Sequence, residues 1–144
     1  MQRYKNDAQI QNFGEWLSGM NWTHYATFTT SYELTLKSAR RAMHRVHDFL
    51  DKEQNTAMFW AAEPFDLKDG FHTHALLNTQ ISYDRIIEAW QIVSKAKNSE
   101  KKWHRIDLQE YNPERGAGYY LSKYISKRLS DYDLFLTRTS RGYS

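Results

Sequence analysis

The stretch GFHTHALL, residues 70–77, predicts a β-strand that carries two histidines on one face. Side chains alternate between the two faces of a strand, so His72, His74 and Leu76 project to the same side. The Cα atoms of the two histidines are then about 6–7 Å apart. Both imidazoles can bind one divalent ion at that spacing if a neighbouring strand supplies a third ligand.

A second strand is predicted directly upstream, in TAMFWAAE, residues 56–63. It is followed by PFDLKDG, residues 64–70, which is rich in turn formers. Two strands joined by so short a loop form an antiparallel hairpin, which places Glu63 beside the histidine pair. A His-x-His pair alone is more often incidental than metal-binding, and Glu63 could be a solvated strand end, but the combination favours a metal site. Ligands without sulfur suit Mg²⁺ or Mn²⁺, with Zn²⁺ as an alternative.

The remaining pattern predicts an α+β fold. Apolar residues recur at helical spacing over residues 37–53 and 82–97, and strands are predicted in residues 22–36, at least as far as Thr30, and in residues 103–111. This order implies one antiparallel sheet with both helices packed on one face, the ferredoxin-like split βαβ arrangement. By length, residues 1–144 form one domain.

Both ends of the chain carry further predicted elements. Residues 1–20 predict a short amphipathic helix with Trp16 and Leu17 in its apolar stripe. A C-terminal helix is predicted from Pro113 through residues 114–132, and an edge strand at residues 134–137 is one alternative for the tail.

Composition narrows the classes of function. The chain has no cysteine, which excludes thiolate metal sites and a cysteine nucleophile. A net charge of +3 is compatible with a nucleic-acid partner, and the 15% aromatic content offers rings that could stack on bases, although most such rings belong to protein cores. No apolar run is long enough to cross a membrane and the start of the chain does not resemble a signal peptide, so we expect a cytoplasmic protein.

The predicted C-terminal helix presents two phenols and two ammonium groups on one face. These residues are Tyr120, Lys123, Tyr124 and Lys127. A nearby lysine stabilises a phenolate and so makes the tyrosine a better nucleophile, and it can also hold a phosphate. The alternative is that the tyrosines are half-buried aromatics and the lysines are solvated.

Together these motifs resemble the HUH endonucleases, in particular the rolling-circle replication initiators, or Rep proteins. Glu63 precedes His-Thr-His by nine residues, and Tyr-x-x-Lys-Tyr-x-x-Lys follows about 45 residues later. The resemblance covers nearly the whole chain, because that family has this fold and its first motif is similar to YATFTT, residues 25–30. It implies a single-stranded DNA nickase that starts rolling-circle replication through a 5′-phosphotyrosine.

The resemblance also implies roles for individual residues. Glu63, His72 and His74 would hold Mn²⁺ or Mg²⁺, and Tyr120 would be the nucleophile with Lys123 assisting. Tyr124 resembles the second tyrosine of two-tyrosine members, although the tandem motif leaves open that Tyr124 alone reacts. Candidate contacts to single-stranded DNA or an origin hairpin are Lys127 and Arg105, either of which could be an ordinary surface charge.

The sequence departs from the family pattern at two points. Thr73 stands where the family usually has a bulky hydrophobe, and no GxxxxGK[ST] loop of a helicase domain occurs. A host or viral helicase and polymerase are therefore expected partners, in a host cytoplasm if the protein is viral. The oligomeric state stays open, with a homodimer as one alternative. Two alternative functions stay open: a small single-tyrosine HUH transposase and a non-catalytic ferredoxin-like nucleic-acid-binding module.

Overall fold

An antiparallel sheet with two helices packed on it forms the part of the chain that the structure describes. This computed structural model describes residues 16–116 and 131–135. The elements are β1 (His24–Phe28), α1 (Leu36–Glu53), β2 (Ala57–Pro64), β3 (Phe71–Asn78), α2 (Tyr83–Val93), β4 (Ile106–Glu110) and β5 (Asp131–Phe135). The strand order is β4-β1-β3-β2-β5, whose first four members have the ferredoxin-like arrangement. The predicted α+β fold is confirmed.

Both helices begin at side-chain caps and bury their apolar stripes on the same face of the sheet. Thr35 and Ser38 form a capping box at the start of α1, and Ser82 accepts a hydrogen bond from the backbone N–H of Arg85 at the start of α2. The helix residues pack against the inward-facing side chains of the central strands. The largest members of this core are Phe28, Leu34, Met43, Leu50, Met58, Trp60, Leu77 and Trp90.

The opposite face of the sheet carries a second, smaller apolar cluster. Tyr25, Phe59 and Leu76 lie at its centre and are buried, with Leu17, Trp22 and Tyr111 packed around them. The indole N–H of Trp22 donates to the carbonyl of Leu17 over 2.8 Å, which holds the segment before β1 against this face. We refer to this side of the sheet, which α1 and α2 leave uncovered, as the open face.

Several boundaries differ from the prediction. The second helix ends at Val93 because Ser94 adopts the last helical conformation and Lys95 turns the chain with φ of 58°. The strand predicted over residues 103–111 is shorter, at Ile106–Glu110. Trp16 is 51% exposed while Leu17 is fully buried, so the predicted placement of Trp16 in the apolar stripe is wrong.

Asp131 and Tyr132 belong to β5, not to the end of a helix as the sequence pattern suggested. They pair with Ala62 and Ala61 of β2. The guanidinium of Arg40 on α1 binds both carboxylate oxygens of Asp131 at 2.9 Å and also contacts Asp133 at 3.1 Å. This bidentate pair fixes the edge strand to the helix layer and favours the extended conformation.

Within residues 16–116 and 131–135, no helix is long and apolar enough to cross a membrane.

The loop between β2 and β3 depends on Gly70. The N–H of Phe65 donates to the carbonyl of Gly70 over 3.1 Å, and the N–H of Phe71 donates to the carbonyl of Leu34 over 3.0 Å. Gly70 has φ of +99°, and a Cβ there would lie 2.7 Å from Cγ of Glu33. Only glycine adopts this conformation without strain.

We therefore expect Gly70→Ala to lower the free energy of unfolding by about 1–3 kcal/mol, since the new methyl group adds backbone strain and a close contact. Urea denaturation followed by circular dichroism measures the change. Gly19→Ala is the matched control, because a Cβ at Gly19 meets its nearest neighbour at an ordinary 3.4 Å. Equal stability of the two variants would contradict this account of the loop.

Candidate metal centre

The register of the β2–β3 hairpin brings Glu63, His72 and His74 together on the open face. Glu63 lies directly opposite His72, and Ala61 lies opposite His74. The intervening residue, Thr73, points to the helix face, where it is fully buried and its hydroxyl lies 3.2 Å from the sulfur of Met43. The predicted hairpin therefore places the carboxylate beside the histidine pair.

The three side chains converge on a small volume. Nε2 of His74 lies 3.1 Å from Oε2 of Glu63, and Nε2 of His72 lies 3.6 Å from the same oxygen. The three candidate ligand atoms all lie within 4.8 Å of one another. Adjacent ligands of an octahedral cation are about 3 Å apart when each bond is about 2.1 Å long, so small shifts would give a binding geometry. These residues could hold a metal ion through one face of its coordination sphere, with the other positions open.

His74 is held in place by two hydroxyl groups from β1. Its Nδ1 lies 2.7 Å from the Tyr25 hydroxyl and 3.1 Å from the Thr27 hydroxyl. A hydroxyl can donate to Nδ1 when Nε2 carries the proton, and can accept from Nδ1–H when Nε2 binds a metal. The ring therefore keeps a hydrogen-bond partner in both states, as the orienting partners of metal-binding histidines do.

His72 is held by ring contacts instead. Its ring centroid lies 4.6 Å from that of Phe65 and 4.8 Å from that of His74. Its buried Nδ1 has no hydrogen-bond partner among residues 16–116 and 131–135. The orientation of His72 thus depends on the loop before β3, whereas that of His74 depends on β1.

The electrostatics of the cluster favour the protonation states that bind a cation. Burial raises the pKa of the Glu63 carboxyl, but hydrogen bonding to His72 and His74 outweighs this and lowers the pKa to about 2. Burial lowers the pKa of His74, and Glu63 offsets only part of that effect. At neutral pH the carboxylate is therefore ionised and His74 is neutral, which is the form in which each residue coordinates a metal.

A groove lies beside the centre on the open face, between β1 and β4. Thr27 pairs with Asp107, and the N–H of Thr29 donates to the carbonyl of Arg105 over 2.9 Å, so these four side chains share one face. The groove that they line has a volume of about 410 Å³. Thr27 belongs to both features, because its hydroxyl also contacts His74.

The predicted site residues fall into two groups. The structure places Glu63, His72 and His74 in one cluster and Arg105 in the neighbouring groove, whereas Tyr120, Lys123, Tyr124 and Lys127 lie outside the described residues. Two functional candidates escaped the sequence reasoning, the Tyr25 and Thr27 hydroxyls. Their signal was present in YATFTT, since alternate residues of a strand beside β3 would face the histidines.

No family model matches the chain, and no curated protein matches it.

We expect Mn²⁺ to raise the melting temperature by several degrees at 100 times its Kd, because a ligand that binds only the folded state stabilises it. Differential scanning fluorimetry with a Mn²⁺ titration measures the shift. Glu63→Gln and His74→Ala should each abolish most of it, since the first removes the negative charge at the site and the second removes one of three ligands.

Thr73→Val is the matched control for the metal titration, because Thr73 lies between the two histidines but faces the helices. It should keep the Mn²⁺ shift even if its own melting temperature falls. An undiminished shift in Glu63→Gln and His74→Ala would contradict the metal centre.

Tyr25→Phe should weaken Mn²⁺ binding about tenfold, because Nδ1 of His74 loses the shorter of its hydrogen bonds to the β1 hydroxyls, the other being to Thr27. Isothermal titration calorimetry measures the change in Kd. Tyr32→Phe is the control, since it removes a hydroxyl that donates to the Ser94 carbonyl, away from the cluster. Equal affinities of the two variants would exclude an orienting role for Tyr25.

Proposed function

We propose that this protein is a metal-dependent endonuclease that nicks and rejoins single-stranded DNA through a tyrosine, as an initiator of rolling-circle replication. The observation that carries the proposal is the convergence of Glu63, His72 and His74 on the open face. The motif resemblance supplies the reaction, and Mn²⁺ or Mg²⁺ suits the nitrogen and oxygen ligands.

The position of β5 supports a role for the tyrosine motif. Tyr120 and Tyr124 precede Asp131 by eleven and seven residues, and Asp131 pairs with Ala62, the neighbour of metal ligand Glu63. A chain of seven residues spans at most about 25 Å. The chain is therefore long enough for Tyr124 to reach the metal ligands from β5.

In the proposed reaction, a phenolate oxygen of Tyr120 or Tyr124 attacks the scissile phosphorus. The bond from phosphorus to the 3′ oxygen breaks, and that oxygen takes up a proton to leave a free 3′-hydroxyl, while the 5′-phosphate stays on the tyrosine. The ammonium group of Lys123 stabilises the phenolate. A bound divalent cation would polarise the phosphate and neutralise charge that develops on it. Attack by a 3′-hydroxyl on the phosphotyrosine reverses the step and joins strands.

The groove between β1 and β4 offers the DNA a path to the centre. Arg105 is exposed there and can contact a phosphate or a base edge, while Lys127 is assigned to the same substrate from its place in the tyrosine motif. A single strand, such as an unpaired segment of an origin hairpin, suits this shallow surface, because its bases are free to leave the stack.

The proposal predicts a covalent protein–DNA adduct. Purified protein is mixed with Mn²⁺ and a pool of single-stranded oligonucleotides of randomised sequence, and the products are separated on a denaturing gel. A label at the 3′ end should migrate with the protein, whereas a label at the 5′ end should appear on a shorter, protein-free fragment. This asymmetry distinguishes a 5′-phosphotyrosine from a 3′ link.

Variants then assign the roles. EDTA or the His72→Ala, His74→Ala double substitution should remove the adduct, and comparison of Tyr120→Phe with Tyr124→Phe shows whether one tyrosine or both react. An adduct that persists in EDTA contradicts the metal requirement. DNA binding without any adduct would instead favour the non-catalytic module.

A further inference from the structure

The groove between β1 and β4 carries two opposite charges side by side, those of Arg105 and Asp107. Arg105 and Asp107 are both exposed, and neither side chain forms an ion pair or hydrogen bond with another of the described residues. Their positions two apart on an extended segment put their Cα atoms about 6–7 Å apart on the same face. The structure thus presents a fork of N–H donors next to a pair of carboxylate acceptors.

Thr27 and Thr29 of the neighbouring chain segment form the floor of the groove. The pairing of Thr27 also gives the distance from the groove to the metal ligands. The hydroxyl of Thr29 donates to the Arg105 carbonyl over 3.3 Å, and the hydroxyl of Thr27 contacts Nδ1 of His74 over 3.1 Å. Asp107 pairs with Thr27, which itself pairs with His74, so Asp107 is two strand spacings, or about 10 Å, from the histidine. The volume of about 410 Å³ is in the range of pockets that hold small ligands.

Among the four bases, guanine matches this charge arrangement most fully. Its Watson–Crick edge offers two adjacent N–H donors, N1–H and N2–H, to a carboxylate. Its O6 and N7 atoms are adjacent acceptors for a guanidinium, which is a frequent specific contact of arginine with DNA. Adenine, cytosine and thymine each lack at least one of these two pairs, so they leave part of the donor or acceptor set unfilled.

We infer that the groove reads an unpaired guanine near the scissile phosphate, with Asp107 accepting from N1–H and N2–H and Arg105 donating to O6 and N7. The inference rests on the proposed nicking function for its biological role. Asp107 and Arg105 are then specificity-determining residues, because they contact the base. Neither belongs to the metal cluster. Thr27 connects the groove with the metal cluster. Its hydroxyl contacts His74, and its partner on β4 is Asp107.

Binding measured without catalysis tests the groove separately from the nicking reaction. Fluorescence anisotropy in EDTA compares an oligo(dT) strand that carries one central guanine with the same strand carrying one central adenine. We expect the guanine strand to bind about tenfold more tightly, because one good bidentate pair gives that order of discrimination. Asp107→Asn should remove most of the preference, since the amide replaces one acceptor by a donor.

Glu110→Gln is the matched control for the loss of a negative charge, because Glu110 is on the same strand but three residues away, on the other face. Arg45→Lys on α1 is the control for Arg105→Lys, which exchanges the fork for a single ammonium group. Both controls should keep the guanine preference, whereas Arg105→Lys should reduce it.

The adduct assay tests the guanine preference a second time. Sequencing of the DNA captured from the randomised pool should show guanine enriched at one position near the nick in the wild type, and a loss of that enrichment in Asp107→Asn with adduct still formed. Absence of any adduct would overturn the nicking function. The anisotropy result would then decide by itself whether the groove binds guanine. Equal affinity for the guanine and adenine strands, or a preference unchanged in Asp107→Asn, would overturn the inference.

Discussion

The pairing of Glu63 with His72 is the constraint on which the site depends. Side chains alternate along a strand, so a slip of one residue in the β2–β3 register would turn both histidines into the helix-side core and put Thr73 on the open face. The native register is fixed from the other side of the sheet, because Trp60, Met58 and Leu77 fill the core beneath α1 and α2. The geometry of the candidate metal ligands is therefore secured by apolar residues that are not themselves candidate ligands.

The open face combines packing and chemistry in the same strands. Tyr25 is 2% exposed and belongs to the apolar cluster with Phe59 and Leu76, yet its hydroxyl lies 2.7 Å from a metal-ligand candidate. The ring stabilises the sheet while the hydroxyl orients His74, so the imidazole is attached to a rigid part of the structure. His72 has a different support, since Phe65 belongs to the loop after β2. The two histidines are thus positioned by separate parts of the molecule.

Much of this arrangement could be predicted from local pattern. The hairpin followed from a short loop of turn residues between two apolar segments, and the shared face of Glu63 and the histidines followed from strand periodicity. The contacts of Tyr25 and Thr27 with His74 require the strand order in addition to local pattern, because they form only when β1 lies next to β3. The end of α2 depends on the left-handed conformation of Lys95, and β5 depends on the distant Arg40, so neither is encoded in its own segment.

The contacts within the candidate metal centre differ widely in sequence separation. Glu63 and His74 are eleven residues apart, so closing the loop between them costs little conformational entropy. The bond between Tyr25 and His74 joins residues 49 apart and requires β1 to pair with β3. The convergence of the three candidate ligands is thus a local property of the β2–β3 hairpin, whereas the orientation of His74 depends on the complete tertiary structure. A change that loosens β1 would therefore leave the three ligands close together and lose the alignment of one of them.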